Sequence, residues 1–549
     1  MAKGTISRLA GLALASAAAL VIAAPCLAQG TAAGGDGADA CRRLADLIGA
    51  DAHLDAVRYV PEGALPPPFP GMPKIMGPAH CQLTATIRPR TGVGGQKFGL
   101  GFELRLPMAW NGRFLFQGGG GLDGNIRSAI GFNFSGGPTA LARGFAIVST
   151  DAGHEGPDAS FATDQQARLD YAYVALGEVT RRAKAIVSAF YGKAPSYSYF
   201  DGCSNGGRQG MMAASRYPEL FDGIVAGDPG FRLSRAAVGE AWATAQFARI
   251  ARRDAAGLPI LSTAVTDQDL SLVSQAILKA CDAKDGLVDG IVGNWQACRF
   301  RVEALRCRPG LTACLAPAKI ATLVRVFDGA RDSRGRPLYA GWLWDPGISS
   351  PAWRSWTLGT SPTSRGNSAA ETLGADALGR YFSTPAYPAP LTPFEFDFDQ
   401  AEERVAETGA VNDPTGTLLT SFTQHGGKLL IYHGLADPVF SAVDIVAWFD
   451  RLQRTMGPTP AWARLFLVPG MNHCALGPAT DRFDALRAVQ LWVEEGQAPD
   501  RIEAAGSAVP GKPIHRPLCP YPAYAHYVRG PVENAESFEC RTERTGRVG

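Results

Sequence analysis

A chain of 549 residues with 46% hydrophobic side chains exceeds one ordinary domain and can bury a large core. Its formal net charge is +2, from 53 basic and 51 acidic residues, with no basic tract and no acidic tail. That balance argues against nucleic acid and anionic membrane surfaces as partners. At the start, Lys3 and Arg8 precede an apolar run over 9–24, and small residues lead to Gln29. This pattern predicts a secretory signal peptide over 1–28, cleaved after Ala28. Its removal takes Cys26 and leaves ten of the eleven cysteines, an even number that predicts five disulfides in a secreted or periplasmic protein. No later stretch reaches the roughly eighteen apolar residues of a membrane span.

Behind a Gly/Ala/Asp-rich start, Cys41 opens a helix-like stretch, and a proline-rich segment over 61–78 leads to Cys81. The two cysteines are natural mates closing this loop. Strand patterns follow at 82–87, 99–106 and 113–117, the third ending in four glycines, 118–121. Such a run is either a flexible turn or a loop whose backbone N–H groups approach a ligand, as in the oxyanion loops of serine hydrolases. Residues 144–150 form a buried strand ending near Asp151 and His154, and 170–191 form a helix by the three- and four-residue spacing of Val174, Leu176, Val179, Ala183, Ile186, Val187 and Phe190.

An alternating run then stops at Gly202-Cys203-Ser204-Asn205-Gly206, followed by a helical pattern from Gly207 and a strand at 223–227. Strand, sharp turn and helix are the context of a G-x-S-x-G nucleophile elbow. The βαβαβ order predicts a mainly parallel sheet covered by helices. From residue 231 to 410 the rhythm breaks into helical pieces (235–252, 267–280) and a segment rich in tryptophan (Trp342, Trp344, Trp353, Trp356). It returns at 428–433, 464–468 and a last helix over 481–495 with Asp481 as its N-cap. The expected class is α/β, an α/β-hydrolase fold with a large lid insertion after the strand that follows the elbow. The catalytic domain takes 29–230 and 411–549, and the lid 231–410.

A nucleophilic serine needs a base and an acid to orient that base, and on such a sheet they follow in the order Ser, Asp or Glu, His. Of the downstream histidines, His473 stands just beyond a buried strand and is the best-placed base. Asp437, in the turn after the 428–433 strand, is the first candidate acid and Asp228 the second. Cys203 precedes the serine and Cys474 follows the histidine. A bond between them would hold the Ser204 and His473 Cα atoms within roughly 13 Å; free cysteines or other pairings are the alternative.

These motifs, Gly202-Cys203-Ser204-Asn205-Gly206-Gly207-Arg208-Gln209, His433-Gly434-Leu435-Ala436-Asp437 and Gly470-Met471-Asn472-His473-Cys474, resemble the Cys-Ser, Asp, His-Cys pattern of the tannase and feruloyl esterase family, which includes bacterial mono(2-hydroxyethyl) terephthalate hydrolases. The resemblance runs from about Cys41 to Cys540. It implies Ser204 as nucleophile, His473 as base, Asp437 as acid, and oxyanion donors on Asn205 and Gly121. It also implies the disulfides Cys203–Cys474, Cys41–Cys81, Cys281–Cys298, Cys307–Cys314 and Cys519–Cys540. By itself the run Asp282, Asp285, Asp289 reads as a solvated acidic turn. The resemblance turns it into a structural calcium site completed by the carbonyls of Leu287 and Ile291, and it implies no organic cofactor. His433 is implied as a pocket residue; Phe440 and the lid tryptophans suit an aromatic acyl group, feruloyl, galloyl or hydroxybenzoyl, unless they only pack a core. The expected activity is carboxylic ester hydrolysis of small aromatic esters through an acyl-enzyme. A terephthalate half-ester, for which Arg354, Arg365 and Arg380 are candidate carboxylate ligands, is the alternative; a serine peptidase is more remote.

Overall fold

The computed structural model describes residues 34–68, 74–132, 134, 136–388, 390–507 and 512–543; the expected signal peptide lies outside them. Nine strands form the main sheet: β1 (Ala52–Val60), β2 (His80–Thr91), β3 (Lys97–Pro107), β4 (Arg113–Gln117), β5 (Ala146–Thr150), β6 (Tyr197–Cys203), β7 (Gly223–Gly227), β8 (Lys428–Gly434) and β9 (Ala463–Val468). Their spatial order is β1-β2-β3-β5-β4-β6-β7-β8-β9. The first three strands and β5 pair antiparallel, and every pairing from β5 to β9 is parallel.

Short, largely apolar strands such as β5 and β7 are buried at every residue because helices cover both faces. Successive side chains feed opposite cores: Phe114 and Phe116 of β4 join one cluster, Leu115 the other. The first cluster takes in helices α1 (Ala175–Tyr191) and α2 (Asn205–Arg216). After β7 the chain leaves the sheet, and residues 228–427 carry none of its strands. They include α3 (Leu233–Ala248) and α4 (Asp267–Cys281). Beyond β8, α5 (Ala442–Met456) returns to the first cluster through Ile445, Trp448, Phe449 and Leu452, and α6 (Ala485–Glu495) covers the second through Leu486 and Val489.

Three local expectations shift. Strand β1 lies where only a helix-like stretch was legible, because its alternately exposed residues acquire strand character by pairing with β2 at the sheet edge. The helix expected over 170–191 begins earlier, at Gln165–Leu169, and passes through a π turn at Asp170–Val174 before α1. Asp484, not Asp481, caps α6, accepting from the Arg487 N–H at 2.9 Å. Asp481 belongs to the strand Ala479–Arg482 and accepts from the Leu476 N–H at 2.7 Å. Disulfides join Cys41 to Cys81, Cys203 to Cys474, Cys281 to Cys298, Cys307 to Cys314 and Cys519 to Cys540. Among the described residues no helix is long and apolar enough to cross a membrane.

Candidate active site

Ser204 stands between β6 and α2 with φ +68° and ψ −124°, a region costly for a residue bearing a Cβ. Its backbone is held on both sides, the N–H donating to the Gly227 carbonyl at 3.0 Å and the carbonyl accepting from the Arg208 N–H at 3.0 Å. The flanking glycines are required by close approach. A Cβ on Gly202 would stand 2.9 Å from the backbone of Gly206, and one on Gly206 would stand 2.8 Å from the Gly119 carbonyl oxygen. The elbow and the glycine run are therefore in backbone contact, which brings residues 118–121 to the serine.

Side chains on one face of α2 lock that contact. Gln209 Oε1 accepts from the Gly119 N–H at 3.0 Å, and its Nε2 donates to Asp123 Oδ2 at 2.9 Å. Asn205 Nδ2 donates to Asp123 Oδ1 at 2.5 Å, and Asn205 Oδ1 accepts from the fully buried Arg208 at 2.6 Å. The remaining Arg208 donors reach the carbonyls of Ala172, Tyr171 and Asn412. Asn205 opens α2, so its N–H belongs to the first turn, where no intrahelical acceptor exists. Among the described residues neither that N–H nor the Gly121 N–H is engaged, and both residues line the cleft that contains Ser204.

From the other side of the cleft, His473 Nδ1 lies 2.9 Å from Asp437 Oδ2, and His473 Nε2 is buried and has no partner. The disulfide beside them holds the Cys203 and Cys474 Cα atoms 5.9 Å apart, so the serine and histidine loops are tied at their roots. Burial opposes the charge of Asp437, but the imidazoles of His473 and His433 and the Val439 N–H hold its carboxyl below the usual carboxylate range. Asp437 Oδ1 accepts from the N–H groups of Val439 at 2.7 Å and Phe440 at 3.3 Å. Asp228, the second candidate acid, is close by: one oxygen each of Asp228 and Asp437 and a His473 nitrogen lie within 4.8 Å. Burial and the Asp437 charge push Asp228 well above the usual range, and it accepts from the Gly434 and Cys474 N–H groups at 2.8 and 3.2 Å. It braces the loops through these two bonds, and burial beside Asp437 disfavours a second charge there.

His433 differs from the expectation of a pocket residue. Its ring is fully buried beneath the site, and Nε2 lies 2.9 Å from the Phe440 carbonyl oxygen. It is the last side chain of β8, before Gly434, and steadies the 437–440 turn, because that side chain points into the interior rather than over the edge. Phe440 does line the cleft, edge-on to His473 at 5.3 Å. Apart from Ser204, Asn205 and Glu240, the cleft walls are apolar or glycine, including Leu233, Ala237, Trp356, Leu373 and Phe382. A neighbouring cavity shares Glu240 and Trp356 and adds Trp342, Trp353 and Asp437. None of the three candidate arginines reaches either wall. Arg354 donates to the carbonyls of Val265 and Ser262, Arg380 pairs with Asp376, and Arg365 is exposed.

Contacts that no motif announced come from the long insertion. Asp345 accepts from the Gly470 N–H at 3.1 Å, Asn472 Nδ2 donates to the Gly347 carbonyl at 3.3 Å, and the Ser350 hydroxyl bonds Asn472 Oδ1. The loop carrying His473 is thus anchored by residues more than a hundred positions earlier. Only the Asn472 beside the histidine could have hinted at it.

The acidic loop of the insertion is tightly folded. Asp282 accepts from the Asp289 and Gly290 N–H groups, and Asp285 from those of Leu287 and Gly293. Asp289 accepts from the Ile291 N–H and pairs with Arg516. Asp282 and Asp285 are each 5% exposed, and among the described residues neither has an ion-pair partner. Burial and the neighbouring carboxylates push Asp285 up to about 7. Arg516 pairs with Asp289 alone, so Asp282 and Asp285 are buried carboxyls without a cation, the oxygen chemistry that suits a hard divalent ion, although here the three carboxylates do not all converge within 4.8 Å of one another.

A family model described as tannase and feruloyl esterase matches residues 81–541. The mono(2-hydroxyethyl) terephthalate hydrolase of Piscinibacter sakaiensis is 42% identical over 514 residues, 84% of this chain and 85% of that protein. The crystal structure of feruloyl esterase B from Aspergillus oryzae superposes with a TM-score of 0.76 at 28% identity, covering 92% of this chain and 100% of that one. The fold is also that of the tannin acyl hydrolase from Aspergillus niger, with a TM-score of 0.70, 21% identity, and 92% and 95% of the two chains covered. With its α/β-hydrolase fold and its esterase relatives, the chain belongs to the tannase and feruloyl esterase family and is a carboxylic ester hydrolase.

Proposed function

We propose that this protein is a secreted or periplasmic serine esterase for esters of aromatic acids. One observation carries the reading: the Asp437–His473 hydrogen bond leaves Nε2 without a partner, and the His473 ring lies beside Phe440 and Trp356, two walls of the apolar, aromatic-walled cleft that holds Ser204. In the forward step Ser204 Oγ bonds to the ester carbonyl carbon as its proton passes to His473 Nε2. The charge on the carbonyl oxygen is met by the N–H groups of Gly121 and Asn205. Nε2–H then protonates the departing alcohol, leaving the acyl-enzyme. Water repeats the sequence through the same Nε2, and the acid is released. Asp437, charged and dry, holds the imidazole with Nδ1 protonated throughout. Five disulfides support an oxidising compartment, and residues 231–410 act as the lid whose tryptophans wall the cavities.

The relative at 42% identity favours a second reading, hydrolysis of a terephthalate half-ester. Against it, neither cavity wall carries an arginine or lysine to meet a free carboxylate. A panel of methyl ferulate, methyl gallate and mono(2-hydroxyethyl) terephthalate separates them. The uncharged phenolic esters are expected to show at least tenfold higher kcat/KM; a preference for the half-ester of that size would reverse the assignment.

We also propose calcium at Asp282, Asp285 and Asp289 with the carbonyls of Leu287 and Ile291, a structural ion that neutralises the loop and takes no part in the reaction. Calcium at a hundredfold excess over its dissociation constant would add about 2.7 kcal/mol of stability. Chelation is therefore expected to lower the melting temperature by several degrees, with recovery on adding calcium. An unchanged melting curve after exhaustive chelation would remove the ion from the account.

A further inference from the structure

Among the described residues Glu240 is the one ionisable side chain on the wall of the cleft at Ser204, and no step of the hydrolysis uses it. It projects from α3, is 8% exposed, and is shared between the cleft and the neighbouring cavity. Two neighbours fix its surroundings. The chain at Gly374 comes so near that a Cβ there would stand 2.5 Å from Glu240 Oε2. The Trp356 indole N–H is directed at the carboxyl, yet it is buried and makes no hydrogen bond of ordinary length. The Trp356 ring in turn lies 5.9 Å from that of His473, so this polar pair borders the reaction centre.

A buried donor without an acceptor loses its hydration and gains nothing in return. Burial and the charge of Asp437 push Glu240 up to about 8. Near neutral pH it is therefore a carboxylic acid that offers both an O–H donor and a carbonyl acceptor. An unsubstituted ring would leave the indole N–H with only its long contact to the Glu240 carboxyl. A carboxylate would accept from it but would enter a wall with no cation. A hydroxyl satisfies both groups without burying charge, accepting from the indole and donating to the carboxyl.

We propose that Glu240 and Trp356 form a specificity site for a hydroxyl on the aromatic ring of the acyl group, which donates to the Glu240 carboxyl and accepts from Trp356 Nε1–H. The inference rests on the esterase reading above and deepens it by naming the residues that read the ring substituent. A site built to bond a hydroxyl discriminates strongly against the analogue that lacks it.

The test measures kcat/KM for methyl 4-hydroxycinnamate, methyl 4-methoxycinnamate and methyl cinnamate with wild type, Glu240→Gln, Glu240→Leu and Trp356→Phe. Wild type is expected to favour the hydroxylated ester over methyl cinnamate by about tenfold or more, with the methoxy ester, which accepts but cannot donate, falling between them. Glu240→Leu and Trp356→Phe should each lower the hydroxyl preference at least fivefold, whereas Glu240→Gln, which keeps a donor and an acceptor, should retain most of it. A wild-type preference below threefold overturns the proposal even if Glu240→Leu fails to fold. So does an undiminished preference in a folded Glu240→Leu or Trp356→Phe. Absence of turnover on every ester would instead refute the esterase reading, so the two failures are distinct.

Discussion

Replacing Ser204 with alanine is expected to lower kcat/KM for any accepted ester by about 10⁵-fold or more, with little change in melting temperature. The magnitude is that of removing a nucleophile whose base and oxyanion donors act only through it. The small stability effect follows from local geometry. The Ser204 side chain makes no capping hydrogen bond to α2, and its positive φ is imposed by backbone bonds to Gly227 and Arg208 that alanine keeps. Alanine bears the same Cβ strain as serine, so the elbow should persist. Circular dichroism and thermal melting establish the fold, and turnover of a methyl ester reads the effect. Wild-type rates in a folded Ser204→Ala would place the nucleophile elsewhere.

The second large effect is expected from Asp437→Asn, a loss of about 10⁴-fold in kcat, the size known for a triad acid that fixes a histidine tautomer. Here the direction of the amide is determined by its surroundings. The Val439 and Phe440 N–H groups point at Oδ1, so the amide oxygen of an asparagine belongs there. Its NH₂ then faces His473 Nδ1 and forces the ring proton onto Nε2, which can no longer accept from the serine. Asp228→Asn is expected to cost less than about tenfold, because His473 Nδ1 bonds Asp437 and not Asp228, whose ionisation burial and the Asp437 charge disfavour. Equal losses in the two variants would mean that the charge is shared, and a larger loss in Asp228→Asn would reverse the roles. The sign for stability is also defined. The Asp437 carboxyl titrates below its unfolded value, so its charge stabilises the fold above the usual carboxylate range and that contribution disappears as pH falls through the depressed value.

Much of the site was legible because its chemistry is local in sequence. Gly202, Ser204 and Gly206 carry the elbow, Asp437 and His473 each follow a buried strand, and two cysteines mark the serine and histidine that must meet. Glycines in this elbow are needed for a reason the pattern does not express: the backbone of residues 118–121 packs against it. His433 shows the limit. It stands in the same turn motif as Asp437, yet strand alternation sends it into the core, and motif membership alone does not separate a side chain above the sheet edge from one below.

By itself the sequence determined the parallel α/β architecture, the order of the candidate nucleophile, acid and base, and the even set of cysteines, because periodicity, turn chemistry and short motifs are written along the chain. Only the tertiary structure shows that His473 bonds Asp437 rather than the neighbouring carboxylate Asp228. Their charges depend on burial, on each other and on His473, none of which spacing reveals. It likewise decided that Asp345 and Asn472 anchor the histidine loop, that Arg354, Arg365 and Arg380 line neither cavity, and that Glu240 lines the cleft. Those facts arise when segments a hundred or more residues apart pack together, and the direction of a side chain is set by that packing rather than by its neighbours in sequence.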